Sequence, residues 1–203
     1  MLARLVAELS SRKPLESNDR ERPKAAVALL LVPDPDRLLV IRRADRVGDP
    51  WSGQLALPGG RWHAEDADLM ATAIRETEEE TGIHLDRAWC RAQLDDLVPM
   101  TAALPPIMVR PFVFLLPEAI VPGLSNEVAH AAWLPLVSLM AEGVYRPTTI
   151  EVRGTARTVD GYHLPEGFLW GMTERILTPL VINDRLVHNQ CAPVRNGLIC
   201  LPN

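Results

Sequence analysis

Apolar residues along the chain recur at two spacings, one helical and one strand-like, and the segments between them are polar. Leu2, Leu5, Val6 and Leu9 repeat every three or four residues, which predicts a short amphipathic helix over residues 2–12. The polar stretch from Pro14 to Pro23 reads as a linker. Ala25 to Val32 is an unbroken apolar run expected of a buried strand. Asp34-Pro35-Asp36 marks a turn, and Arg37 to Arg43 a second strand completing a hairpin. Next comes LPGGRWHAEDADLMATAIRETEEETGI, Leu57 to Ile83, a glycine turn followed by an acidic helix. Asp66 or Asp68 would cap that helix and Gly82 would end it. Met70, Ala73, Ile74, Thr77 and Thr81 form its apolar-to-neutral stripe, with Glu76, Glu79 and Glu80 on another side.

Further on, Cys90 to Val98 reads as a strand with Asp95 and Asp96 in its second half, and Met100 to Pro106 as a loop of small residues suited to lining a pocket. Ile107 to Leu116 is a strong strand, and its Arg110-Pro111 pair predicts an edge or a bulge. Trp133-Leu134 begins a short strand, and Leu136 to Met140 is a short helix. Tyr145 to Arg153 and Thr155 to Leu164 form a ribbon turning at Gly154, with Asp160-Gly161 a further turn signal. Phe168 to Val181 reads as a closing helix whose Trp170 and Met172 belong to the core. The divisions are therefore an N-terminal helix and linker (1–23), a main domain (24–181) and a C-terminal tail (182–203) that would pack on a second subunit of a homodimer.

Composition narrows the class. The 203 residues suffice for a substantial core. A net charge of −5 offers no basic face for nucleic acid or an anionic membrane surface. The longest apolar run is too short to span a bilayer, and the first residues lack a secretory pattern. Cys90, Cys191 and Cys200 are odd in number and have no metal-ligand spacing, which fits reduced thiols in a cytoplasm.

Candidate chemistry gathers around the acidic helix. Glu76, Glu79 and Glu80 fall within an arc of about 100°. Such a cluster is either a solvated acidic face or an oxygen-rich site for a hard divalent cation, Mg2+ or Mn2+. Arg42, Arg43 and Arg46 cluster before the glycine turn and Arg61 follows it. Guanidinium groups match phosphate oxygens, and they equally balance an acidic neighbour. Trp51 has two readings, a stacking platform for a base or a plug in its loop. His63 is either a loop residue or a substrate contact, and His130 more naturally caps or packs than binds a hard cation.

The order Gly60, Arg75-Glu76, Glu79-Glu80, Gly82, Ile83 resembles the Nudix box, G-x5-E-x7-R-E-U-x-E-E-x-G-U with U aliphatic. From Arg75 onward only Thr77 departs from it. Five residues separate Gly60 from Asp66, which replaces the family's glutamate, and eight rather than seven separate Asp66 from Arg75. Upstream, LLVIRR…SGQLALPGG is similar to the pattern of the coenzyme A pyrophosphatase branch, LLTxRSx3Rx3GxxxFPGG. Leu38, Leu39, Arg42, Gly53, Pro58, Gly59 and Gly60 can be placed on it. The Arg42–Gly53 loop is about two residues longer than that pattern. Asp49 stands where the pattern has arginine, and Arg46 is the candidate to take over its task. The WGMT string at Trp170 is similar to the branch's WGxTA.

The resemblance covers about residues 24–181 and implies an α/β (α+β) Nudix fold, a mixed sheet sandwiched between helices with a loop–helix–loop metal site. It implies hydrolysis of a small-molecule nucleotide, a nucleoside diphosphate linked to another group, with Mg2+ or Mn2+ held by Glu76, Glu79, Glu80 and a carbonyl of Gly59 or Gly60. Arg75 would orient a box glutamate, and Glu80 or Glu127 would serve as general base. The branch implies coenzyme A or acyl-coenzyme A as substrate. The alternatives are an ADP-ribose or dinucleotide pyrophosphatase of the same fold and a catalytically silent ligand-sensing domain.

Overall fold

The computed structural model describes residues 2–19, 21–47, 51–98, 106–152 and 154–187. Asp49, the small-residue loop at 99–105, Arg153 and residues 188–203 with Cys191 and Cys200 lie outside the described residues. The elements in chain order are α1 (Leu2–Ser11), β1 (Lys24–Val32), β2 (Arg37–Arg43), β3 (Leu55–Ala56), β4 (Gly59–Arg61), α2 (Leu69–Thr81), β5 (Cys90–Gln93), β6 (Met108–Leu115), β7 (Val128–Pro135), β8 (Tyr145–Val152), β9 (Thr155–Leu164), β10 (Gly167–Trp170) and α3 (Gly171–Val187). Short 3-10 turns lie at Arg87–Trp89 and Leu136–Met140.

β1 is the axis of a mixed seven-stranded sheet. One edge of β1 runs parallel to β6 from Lys24 to Leu31. Its other edge is divided, with Leu31 and Val32 paired to β2 and Ala25 to Val27 paired to β4. The two partners splay apart, and the Pro58 carbonyl between them accepts from the Ala28 N–H at 2.8 Å. β7 runs antiparallel along β2 and β5 antiparallel along β6.

The continuous apolar run of β1 is explained by burial on both faces. Ala26, Ala28, Leu30 and Val32 join Ala73, Ile83, Phe112 and Phe114 under α2. Leu29 and Leu31 join Leu5, Val6 and Leu9 of α1 and Ile176, Leu177 and Leu180 of α3 on the opposite side. A second, three-stranded sheet, β10-β9-β8, covers part of that side with Tyr162, Leu164 and Leu169. The outer half of the β8–β9 ribbon is different. Thr155 to Thr158 are all exposed, and the chain turns through Gly154 at φ +73°. Among the described residues no helix is long and apolar enough to cross a membrane.

Several boundaries differ from the sequence expectation for identifiable reasons. β5 ends at Gln93, short of Val98, because Asp95 and Asp96 leave the ladder to bind the segment after α1. Asp95 accepts from the Leu15 N–H at 2.7 Å and pairs with Arg12. Asp96 accepts from the Ser17 N–H at 2.7 Å and from Arg110 Nε at 2.7 Å. The expected linker is thus strapped to the body. β6 is an interior strand, not an edge. The Pro111 carbonyl accepts from the Leu94 N–H, and the pairing slips by one residue between Gln93–Phe112 and the Leu97–Val109 bridge, so its missing donor falls at a bulge, the second of the two places the sequence allowed. β7 starts at Val128, five residues before Trp133, since pairing with β2 holds the small residues between. Phe168 to Trp170 are strand, not helix, and α3 starts at Gly171. Asp160-Gly161 is no turn. Gly161 lies within β9, where a methyl group would fall 2.8 Å from the Phe168 ring. His130 is exposed on β7 opposite Arg42.

Candidate active site

The site is built where β4 crosses the inner face of α2. Asp68, not Asp66, caps the helix, accepting from the Ala71 N–H at 2.7 Å. Gly82 ends it in a left-handed conformation at φ +65°. Ala73, Thr77 and Thr81 are buried as the stripe predicts, while Met70 and Ile74 are only half-buried at the margin of the core. Thr72 and Glu80 complete the buried face.

That rotation separates the three glutamates by depth. Glu80 is 5 % exposed and accepts from the Gly59 N–H at 2.9 Å. Burial pushes its carboxyl up to about 7, opposed by that N–H and by the charge of Arg43, with Glu76 and Glu127 adding repulsion. Glu76 is half-buried, and burial raises its pKa against the pull of Arg75. Its carboxylate lies so close to the backbone of β4 that a methyl group on Gly60 would overlap it. Glu79 points outward, with 56 % of its side chain exposed.

Arg75 makes five hydrogen bonds, four of them to carboxylates. Nε and Nη2 grip Asp66 at 2.9 and 3.0 Å, and Nη2 also reaches the Arg61 carbonyl at 3.0 Å. Nη1 donates to Glu76 and to Glu79, each at 3.0 Å. The fork holds the Asp66 carboxyl far below the usual range, and Asp66 in turn raises the pKa of Arg75. Asp66 also accepts from the His63 N–H and the Thr72 hydroxyl. The sequence offered Asp66 as a cap or as the stand-in for the box's first glutamate, and its part as the anchor of Arg75 appears only in the structure. Its place near the box's first acidic position was the available signal.

Of the basic candidates, Arg43 is half-buried within electrostatic reach of Glu80, and Arg42 and Arg61 are exposed. Arg46 pairs with Glu127 at 3.0 Å. Trp51 is half-buried in its turn, and His63 is exposed. Trp62, which sequence reasoning passed over, is 43 % exposed and its indole N–H is held by the Asp66 carbonyl at 3.3 Å. It lies two residues beyond Gly60, where its N–H still donates to the Lys24 carbonyl at 2.9 Å.

Among the described residues no three His, Cys, Asp or Glu side chains form a ready group for a metal ion. The reason is visible in the partners: Arg75 draws Glu76 and Glu79 to itself, and Glu80 turns to Gly59. The donor chemistry nevertheless fits a hard cation. Glu80 is a buried carboxylate for which the described residues supply one hydrogen-bond donor, Gly59, and Glu76 lies against the main chain of Gly60.

A model of the NUDIX domain matches residues 22–151. The Nudix hydrolase NudL of Photorhabdus laumondii is 32 % identical over 173 residues, covering 83 % of this chain and 87 % of that protein. NudL of Cronobacter sakazakii is 30 % identical over 191 residues, covering 89 % and 93 %. In three dimensions the chain is similar to a MutT/nudix family protein from Enterococcus faecalis, with a TM-score of 0.59 at 18 % identity, covering 92 % of this chain and 70 % of that one.

Proposed function

The chain belongs to the Nudix family and is a pyrophosphohydrolase, and from that premise we propose that it cleaves the diphosphate of coenzyme A or an acyl-coenzyme A. The products are adenosine 3′,5′-bisphosphate and a 4′-phosphopantetheine derivative. The observation that carries the chemistry is the buried Glu80, held by Gly59 beside Glu76 and Arg43. The choice of substrate is supported by the LLVIRR…SGQLALPGG string and its resemblance to the coenzyme A branch.

Glu76 and Glu80 are the residues that would hold Mg2+ or Mn2+, with Glu79 and the Gly60 carbonyl as further ligands. When bound, such a cation neutralises diphosphate charge and lowers the pKa of water. Arg75 keeps Glu76 and Glu79 in place, and its side-chain nitrogens are all engaged within the protein, so it acts as a positioning residue. Arg43 and Arg46 meet phosphate oxygens, and the exposed Arg42 and Arg61 extend that positive rim. Water oxygen bonds to one phosphorus, the bridging P–O bond breaks, and the bridging oxygen leaves on the other phosphate. Glu127, near Glu80 and exposed, takes the water's proton.

A panel of coenzyme A, acyl-coenzyme A, ADP-ribose, NADH and diadenosine polyphosphates, each with Mg2+ or Mn2+, tests the reading. Coenzyme A or its acyl derivatives are expected to give the highest kcat/KM. Intact coenzyme A with cleaved ADP-ribose would move the protein to the ADP-ribose class. No cleavage of any compound would favour a silent ligand-sensing domain.

A further inference from the structure

Arg46 and Glu127 are far apart in sequence and carry separate tasks in the proposed reaction, yet the structure joins them. Arg46 Nη2 donates to Glu127 Oε1 at 3.0 Å, and both side chains are about half exposed. The main chain on each side is fixed. The Arg46 N–H donates to Ser52 Oγ and the Ser52 hydroxyl donates back to the Arg46 carbonyl, both at 2.9 Å. The Ala44 N–H donates to the Glu127 carbonyl at 2.8 Å, and the Ser125 N–H donates to the Glu80 carbonyl at 3.2 Å. The pair therefore spans two pinned segments, one of which is bonded directly to α2 at Glu80.

We propose that this pair is a latch opened by the substrate: a phosphate oxygen takes Arg46 from Glu127, and the freed carboxylate becomes available beside Glu80. The inference rests on the roles given above to Arg46 and Glu127. An exposed ion pair contributes little to stability and is easily exchanged. A phosphate offers the same guanidinium more charge and a bidentate partner, so the exchange runs toward the substrate. Glu127 is near enough to Glu80 for its charge to be felt there, so a change of partner at Arg46 is transmitted to the centre. The carboxylate is occupied when no diphosphate is present and is released when one arrives.

The test is titration calorimetry with inorganic pyrophosphate and a chelator present, on wild type, Glu127→Ala, Arg46→Ala and the double variant. Both positions are about half exposed, and melting curves verify that the variants fold. Because Glu127 competes with phosphate for Arg46, Glu127→Ala is expected to bind pyrophosphate about two- to five-fold more tightly than wild type. Arg46→Ala is expected to bind several-fold more weakly, and the double variant no more tightly than Arg46→Ala. Three outcomes overturn the latch: no tightening in Glu127→Ala, equal tightening when Arg46 is absent, or no binding by any of the four proteins. The titration uses neither turnover nor a cation. A failed substrate panel therefore leaves the latch standing, and a failed titration leaves the hydrolysis reading standing.

Discussion

Glu80 combines deep burial with one hydrogen bond, from Gly59, among the described residues. Its folded pKa of about 7 lies above the unfolded value of 4.5. The linked stability is therefore fully present below about pH 4.5 and is lost as pH rises through about 7 in cation-free protein. Asp66 has the opposite sign, since its depressed pKa stabilises the fold above about pH 4 and that contribution is lost in acid. Glu80→Gln keeps the shape and the Gly59 bond without the buried charge. At pH 8 without cations it should raise the melting temperature by about 5–10 °C, corresponding to about 3 kcal/mol, and at pH 5 the difference should largely disappear. The same variant should lose turnover by about 100-fold or more. Thermal melts at the two pH values and a rate assay check both halves. The sequence showed three glutamates on one arc. It did not show their order of depth, because that order depends on where β4 and the segment at 123–127 cross the helix.

Among elements, β4 is only three residues long, yet its two glycines have separable tasks. Gly59 has φ +149°, and a side chain there would strike the main chain at Ala26 and Val27. Gly60 has no positive φ, and the atoms nearest to a methyl group there would be those of the Glu76 carboxylate. Gly59→Ala should therefore cost about 2 kcal/mol or more in stability, measured by urea unfolding. Gly60→Ala should leave the unfolding midpoint nearly unchanged and lower kcat by about tenfold or more, because it displaces a carboxylate rather than the chain. The hairpin, the capped helix and the ribbon were legible because each follows from local periodicity and turn residues. The start of α3 was not. Phe168 to Trp170 fit a helix as well as a strand, and only pairing with β9 decides between them. Pro111 allowed an edge or a bulge, and only the slip in pairing between Gln93 and Leu97 decides for the bulge.

For the molecule as a whole, the segment after α1 is fastened to the far edge of the sheet through Asp95 and Asp96. Asp96 is 2 % exposed in its side chain and balances Arg110, which is 16 % exposed. Asp96→Ala removes that balance and the acceptor for the Ser17 N–H. The expected loss is about 2–3 kcal/mol, or a melting temperature lower by roughly 5–10 °C, with protease cleavage appearing within residues 13–19. Intact residues 13–19 under limited proteolysis would refute the strap. No pattern rule pointed to this contact, because it pairs polar residues about 80 positions apart. What remained readable at this scale was the two-sided burial of β1, since a strand that is apolar at every position needs cover on both faces.

The β8–β9 ribbon ends in a glycine turn with exposed residues on its return strand. Foreign sequence spliced at Gly154 would meet solvent instead of packed side chains, and the strands below it would keep their pairing. That tip is accordingly the natural attachment point for an epitope, a dye or an immobilising tether, leaving the carboxylates of α2 undisturbed.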